Sequence, residues 1–230
     1  ERLGEMAGYS EEMDEAKAEL ERKMELVEFS GKRIRKFEKE ALENIINEII
    51  ADYTEQHKKN PNFKMPKPPS KIEFKVENEK VTDIDLSNLG LTQIPASIGE
   101  LVDLDELYLV NNKIIEIKGL DRLTGLRELY LNENKIKSTT GLENLTNLLT
   151  VSLTDNQITE VVGIDHLDKL ASLALSGNDL SNISANDLPL GLKALFITRV
   201  STDESRLREF LDKMKDKCDN IRIYNDVVEC

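Results

Sequence analysis

The side chains that could carry out catalysis or bind metal are few and scattered. The chain of 230 residues has two histidines, His57 and His166, and two cysteines, Cys218 and Cys230. Neither histidine has a nucleophile or a metal-binding side chain at the spacing of a catalytic triad or a zinc site. Cys218 falls among apolar residues at helical spacing, which predicts a core position. The sequence also lacks a phosphate-binding glycine motif. We therefore expect no enzymatic activity, no metal and no cofactor.

Carboxylates and tyrosines recur at a fixed interval. Glu106 and Tyr108 return one interval later as Glu128 and Tyr130. Exposed tyrosines flanked by carboxylates are suited to anchor a basic peptide. The alternative is a solvated sheet face, which suits the Ser, Thr and Ala residues at the same positions further along the chain. The candidate partner-binding residues are Asp85, Glu106, Tyr108, Glu128, Tyr130, Asn132 and Phe196.

The element that must position these side chains is a 22-residue repeat with the pattern Leu-x-x-Leu-x-Leu-x-x-Asn-x-Ile. Its Leu-x-Leu step has period two and predicts a short strand with the leucines on one side. The asparagine ends the strand, and a second apolar series returns the chain along an outer wall. Each copy therefore predicts one coil of a solenoid. If a seventh strand forms near the end of the chain, Arg222 is expected to continue the column of Tyr108, Tyr130 and Phe196.

The repeated asparagines are predicted to have a structural role. They fall where backbone N–H and C=O groups lose their strand partners, and a buried amide can satisfy both kinds of group. Identical spacing would stack them into a ladder, although a ligand-binding role is the alternative. The four residues are Asn112, Asn134, Asn156 and Asn178.

The repeats resemble those of the leucine-rich repeat superfamily, specifically its 22-residue SDS22-like class. The resemblance covers about 120 residues, at a period typical of such solenoids. It implies a curved, right-handed α/β solenoid with about six or seven parallel strands on its concave side. It also implies that the concave face binds a protein, as is usual in this family.

The segments on either side of the repeats predict caps. Residues 1–60 predict a helical hairpin that breaks at Ser30-Gly31, and the wide apolar stripe of its second helix includes Phe37. The hairpin either covers the open end of the solenoid or mediates docking or homo-oligomerisation. Residues 61–70 form a Pro-rich linker. Residues 71–200 form the solenoid, with an antiparallel β flap at its N-terminal edge, and residues 201–230 form a helix–strand cap.

The composition narrows the class of partner. The net charge is −13, and an acidic surface repels nucleic acid and anionic membranes, so we expect neither as a partner. The cysteine pattern and the absence of an apolar leader predict a cytoplasmic protein. Together these features predict a non-enzymatic scaffold that binds a protein or peptide with a basic segment. The alternative is a structural or assembly subunit that associates through the N-terminal helices.

Overall fold

The computed structural model describes residues 34, 36–60, 73–200, 204–217 and 222–224. The predicted first helix, the Pro-rich linker and both cysteines lie outside this part of the chain. The described residues include two α-helices, α1 (Lys36–Lys59) and α2 (Glu204–Lys217). Neither of them combines the length and the hydropathy of a membrane-spanning segment.

The strands of the described residues form one sheet whose order follows the sequence. The first two strands are antiparallel, and every later strand pairs in parallel with the one before it. This confirms the predicted parallel sheet. The strands are β1 (Glu73–Glu77), β2 (Lys80–Asp85), β3 (Glu106–Tyr108), β4 (Glu128–Tyr130), β5 (Thr150–Ser152), β6 (Ser172–Ala174), β7 (Ala194–Phe196) and β8 (Arg222–Tyr224).

The core lies inside the coils, because the middle residue of each short strand points inward. Leu107, Leu129, Val151, Leu173 and Leu195 are paired in register from strand to strand, and each is at most 1% exposed. The equal 22-residue spacing keeps every coil in the same register as its neighbour. Burial is shared between adjacent coils, so stability is collective rather than a property of one repeat.

The apolar stripe of α1 is buried against the first coil. The helix packs beside the 3-10 helix Ala96–Glu100. Phe37 is 44% exposed, so it lies outside the buried stripe in which the sequence placed it. The buried apolar residues of α1 are Ala41, Leu42, Ile45, Ile46, Ile49 and Tyr53.

Carboxylates of α1 accept hydrogen bonds from the backbone of the first coil, which has no preceding coil among the described residues to supply acceptors. Asp52 Oδ2 accepts from Thr92 N at 2.7 Å, and Glu48 Oε1 accepts from Ser97 N at 3.0 Å. Glu38, which is fully buried, accepts from Val81 N at 3.1 Å. The helix therefore supplies both apolar cover and hydrogen-bond acceptors at this end of the sheet.

The C-terminal end is covered by α2 and extended by β8. Leu207, Phe210 and Met214 of α2 are buried, and the helix packs on the 3-10 helix Ala185–Asp187. In β8, Tyr224 is the residue opposite Phe196, whereas Arg222 is opposite Ala194. The predicted position of Arg222 opposite Phe196 was therefore wrong by two residues. A slip of two residues leaves the same side chains facing inward, so apolar alternation alone does not fix the register.

Candidate protein-binding face

The outward residues of β2 to β7 form the concave face of the sheet. In β3 and β4 the central leucine is buried, while the Glu before it and the Tyr after it are half-buried. This inward and outward alternation follows from the two-residue period of a strand. Glu106 is paired with Glu128, and Tyr108 is paired with Tyr130. The structure therefore brings these four candidate residues together.

The two tyrosines form a stacked pair. The ring centroids of Tyr108 and Tyr130 are 4.7 Å apart, and the ring planes differ by 5°. This distance matches the usual separation of neighbouring strands, about 4.8 Å, so the sheet itself sets the stacking distance. Tyr108 Oη donates to Glu106 Oε2 at 2.5 Å, and Tyr130 Oη donates to Glu128 Oε2 at 2.5 Å. Both rings are thus fixed in place by stacking and by a hydrogen bond.

Burial and the neighbouring carboxylates raise the pKa of both tyrosine hydroxyls. The hydrogen bond to Glu106, followed by burial and the negative charges nearby, raises the pKa of Tyr108 above its ordinary value. Burial, followed by the hydrogen bond and charge of Glu128, raises the pKa of Tyr130 to about 12. A hydrogen bond from a neutral phenol to a charged carboxylate is stronger than one between two neutral groups. The pair therefore presents flat aromatic surface beside two negative charges.

A shallow depression of about 380 Å³ adjoins Tyr108 on the side of the β flap. Asp83 and Asp85 of β2 lie in it beside Glu106. Lys75 of β1 also lines the depression and pairs with Glu77 at 2.9 Å and with Asp83 at 3.9 Å. The hydrogen bond to Glu77, followed by the charge of Asp83, raises the pKa of Lys75. Acidic groups outnumber basic ones along this part of the face.

The other three candidate residues, Asp85, Asn132 and Phe196, lie at different distances from the tyrosine pair. Asp85 is paired with Tyr108, and its Oδ1 accepts from Ser87 N at 2.8 Å. Asn132 follows β4, and its Oδ1 is buried without a donor among the residues that the structure describes. Phe196 lies on β7, three strands from Tyr130, with Ser152 and Ala174 in register between them. The structure therefore does not bring Phe196 together with the tyrosine pair.

Glu133 is an acidic residue of this region that the sequence reasoning missed. It is exposed, directly follows Asn132, and has a φ of 56° in the left-handed region. Other residues with positive φ at the same place in their coils include Asn111 and Asp155, which adopt this conformation more readily than Glu does. The signal in the sequence was a Glu in a column whose other members include Asn111, Asp155, Gly177 and Arg199. Glu133 adds negative charge at the rim of the face.

The asparagines at the strand ends are buried and bonded to backbone. Asn134 Oδ1 accepts from Ile114 N at 3.0 Å, and its Nδ2 donates to Leu109 O at 2.9 Å and to Leu131 O at 3.0 Å. Asn112, Asn156 and Asn178 make the corresponding bonds to the backbone of the preceding coil. The geometry accounts for these residues without a ligand.

The two histidines lie apart from this face. His57 lies near the end of α1. His166 is an exposed residue between β5 and β6, with Nε2 2.9 Å from Glu143 O. Across the described ranges, no three His, Cys, Asp or Glu side chains are grouped so that they could hold a metal ion.

A second shallow depression lies on the segments that connect one strand to the next. Its volume is about 720 Å³, and residues of two adjacent coils line it. Ile115, at its edge, is 54% exposed, and Val162 in a later coil is 39% exposed. These side chains are scattered apolar groups, which are common on protein surfaces.

Comparison with known proteins identifies the repeats. Residues 102–144 match the family model for leucine-rich repeats in two copies. The fold is similar to that of a leucine-rich repeat protein of Leptospira interrogans, with 23% identity and a TM-score of 0.53 over 61% of this chain and 41% of that one. It is also similar to Pollen Receptor Kinase 3, with 17% identity and a TM-score of 0.51 over 68% of this chain and 78% of that one. No curated protein matches the sequence.

The similarity is one of fold. This chain spans about two fifths of the length of the Leptospira protein, at 41%. At these levels of identity the two structures show that the chain forms a leucine-rich repeat solenoid. That fold is generally used for protein–protein interaction and is usually non-catalytic.

Proposed function

Because this chain is a leucine-rich repeat solenoid, we propose that it is a non-enzymatic interaction module that binds a basic segment of a protein partner on its concave face. The contact lies on β2, β3 and β4. The observation that carries the proposal is the stacked pair Tyr108 and Tyr130, held in place beside Glu106 and Glu128. The 22-residue period supports assignment to the SDS22-like class, and the cysteine pattern supports a cytoplasmic location.

The tyrosine pair has the properties of a binding anchor. Aromatic rings bring a large contact area with few rotatable bonds. Here stacking and the hydrogen bonds to Glu106 and Glu128 hold both rings before a partner arrives. Little side-chain entropy therefore remains to be lost on binding, and preorganisation of this kind increases affinity.

The charges of the face select the partner. Asp83, Asp85, Glu106 and Glu128 lie on three adjacent strands. Lys75 is the basic residue that lines the neighbouring depression, and it already contacts Asp83. Complementary charge speeds association with a basic segment, whereas like charge disfavours acidic partners. Binding is accordingly expected to weaken as the salt concentration rises.

The test compares two double variants with the wild type. The immobilised chain captures partners from a cell extract, and each captured protein is then purified and titrated. Tyr108→Ala with Tyr130→Ala is expected to weaken binding at least about ten-fold, the usual effect of removing aromatic anchors. Ile115→Ala with Val162→Ala removes exposed apolar groups elsewhere and is expected to leave binding unchanged. Thermal melts establish that both variants fold.

Any of three outcomes would contradict this proposal. Equal affinity in the tyrosine double variant would remove the anchor role. Loss of binding in the variant of Ile115 and Val162 would instead place the contact on the segments that connect one strand to the next. Binding that strengthens with added salt would contradict the basic character of the partner.

The alternative function, assembly through the N-terminal helices, has less support. The wide apolar stripe of α1, which suggested a docking surface, is buried against the first coil of the same chain. Light scattering tests it on a chain that lacks residues 1–33 but retains α1. We expect the same number of chains per particle as for the full chain. A fall in that number on truncation would favour the assembly function.

A further inference from the structure

We propose that the partner inserts an arginine side chain whose guanidinium group stacks on the open face of Tyr130, above Ser152. The inference rests on the proposed function, since it names the group that the concave face recognises. It commits to an arginine-bearing segment in extended conformation.

The first step concerns the two faces of the Tyr130 ring. Tyr108 covers one face at a centroid distance of 4.7 Å, with the planes nearly parallel. The residue in register on the other side is Ser152 of β5, and Ala174 of β6 follows it. Neither side chain is large enough to cover an aromatic ring. Among the described residues, Tyr108 is the aromatic or cationic group in contact with the Tyr130 ring. The second face of the ring has no such neighbour, and we call it the open face.

The second step concerns the shape of the open space. Tyr108 and Tyr130 occupy two successive strands, and their stacking distance repeats the strand spacing. The next position of the same column is half-buried Ser152. A planar group of the partner can therefore continue the stack one strand further, about 4.8 Å from the Tyr130 ring. The small side chains of Ser152 and Ala174 leave room for the group and for the chain that carries it.

The third step concerns charge. Glu128 Oε2 accepts the Tyr130 hydroxyl, so this carboxylate lies at the hydroxyl edge of the ring. Exposed Glu133 adds a second carboxylate at the rim. A planar group that stacks here is therefore favoured if it is cationic and donates hydrogen bonds. The guanidinium of arginine has both properties and stacks on aromatic faces, whereas the ammonium of lysine is a compact point charge.

Two short synthetic peptides test the inference. One alternates glycine with arginine, and the other replaces each arginine by lysine, so that their charges match. Fluorescence titration of dye-labelled peptides at low salt measures affinity. We expect the arginine peptide to bind the wild type about five-fold more tightly, which corresponds to one cation–π contact. Ring currents are expected to shift its arginine side-chain protons upfield in NMR spectra.

Four variants test whether the preference for the arginine peptide arises at the open face of Tyr130. Tyr130→Leu is expected to abolish the preference for arginine, and Tyr130→Phe, which keeps the ring, is expected to retain it. Ser152→Leu fills the open face and is expected to abolish the preference without changing any charge. Ala194→Leu enlarges a concave residue of similar size two strands away and serves as its control.

The outcomes separate this inference from the proposed function. Equal affinity of the wild type for the two peptides would overturn arginine stacking and leave a basic partner in place. Binding of neither peptide at low salt would overturn both. A preference for arginine that survives in Tyr130→Leu and in Ser152→Leu would also overturn the inference, because it would place the contact elsewhere.

Discussion

Replacing a ladder asparagine with leucine tests what holds adjacent coils together. The two side chains have similar shapes, so the substitution removes hydrogen bonds with little change in volume. Asn112 Oδ1 accepts from two backbone groups, Leu89 N at 3.1 Å and Leu91 N at 3.0 Å. Asn134 Oδ1 accepts from Ile114 N at 3.0 Å. The two positions therefore differ in how many donors lose their acceptor.

The structure gives a magnitude for each variant. In Asn134→Leu, Leu109 O and Leu131 O still accept from the amides of Asn112 and Asn156, so Ile114 N is the group that loses its partner. A buried donor without a partner costs about 1–3 kcal/mol, which is the expected loss of unfolding free energy. Asn112→Leu removes the acceptor of two donors, Leu89 N and Leu91 N, and also the amide that donates to Leu86 O. Its expected loss is therefore larger, about 2–6 kcal/mol from the two donors alone.

Urea unfolding followed by circular dichroism measures these losses. Asn144→Leu is the control, because Asn144 is exposed and makes one long bond, 3.4 Å, to Asp121. Its effect is expected to stay within about 0.5 kcal/mol. The reasoning fails if Asn112→Leu loses no more unfolding free energy than Asn144→Leu, or if Asn134→Leu is the more costly of the two ladder variants.

Two further predictions concern a close backbone approach and a titrating ring. Gly141→Ala is expected to lower the unfolding free energy by about 3 kcal/mol, since Gly141 has a φ of 102° and a Cβ there would lie 2.0 Å from Ile117 O. Gly125→Ala, where the nearest such atom is 3.8 Å away, is the control, and equal melting temperatures would contradict the argument. Folding raises the pKa of Tyr130 to about 12, whereas an unfolded tyrosine titrates near pH 10. The stabilisation from that proton is therefore complete below about pH 10 and is lost as the pH rises toward 12. When the pH is raised from below 10 to above 10, the melting temperature is expected to decrease less in Tyr130→Phe than in the wild type. Equal decreases would contradict the contribution of the Tyr130 proton.

The repeat made most of the sheet predictable. Each Leu-x-Leu step places one inward residue, and a constant 22-residue period places the next coil in register. The same rule put Tyr108 beside Tyr130 at roughly one strand spacing, where the structure has the rings 4.7 Å apart. Their stacking and the hydrogen bonds to Glu106 and Glu128 depend on rotamers, which the spacing does not determine.

Features that break the period were not predictable in the same way. The segment before β8 contains α2, so the spacing from β7 differs from that of the earlier strands, and the register of Arg222 was misplaced. Glu48 and Asp52 of α1 lie at positions that suit a solvated helix face. Their backbone partners are distant in sequence, at Ser97 and Thr92. Such long-range pairing has no local signal.

The uniform middle of the sheet determines how this molecule can change its length. Helices α1 and α2 pack on opposite ends of the repeated coils with contacts that no internal coil reproduces among the described residues. Deleting or duplicating one whole unit between β3 and β6 would rejoin surfaces of the same kind, and would move the two capping helices by about 4.8 Å per unit. Adding or removing repeats between β3 and β6 therefore changes the length of the solenoid in equal steps.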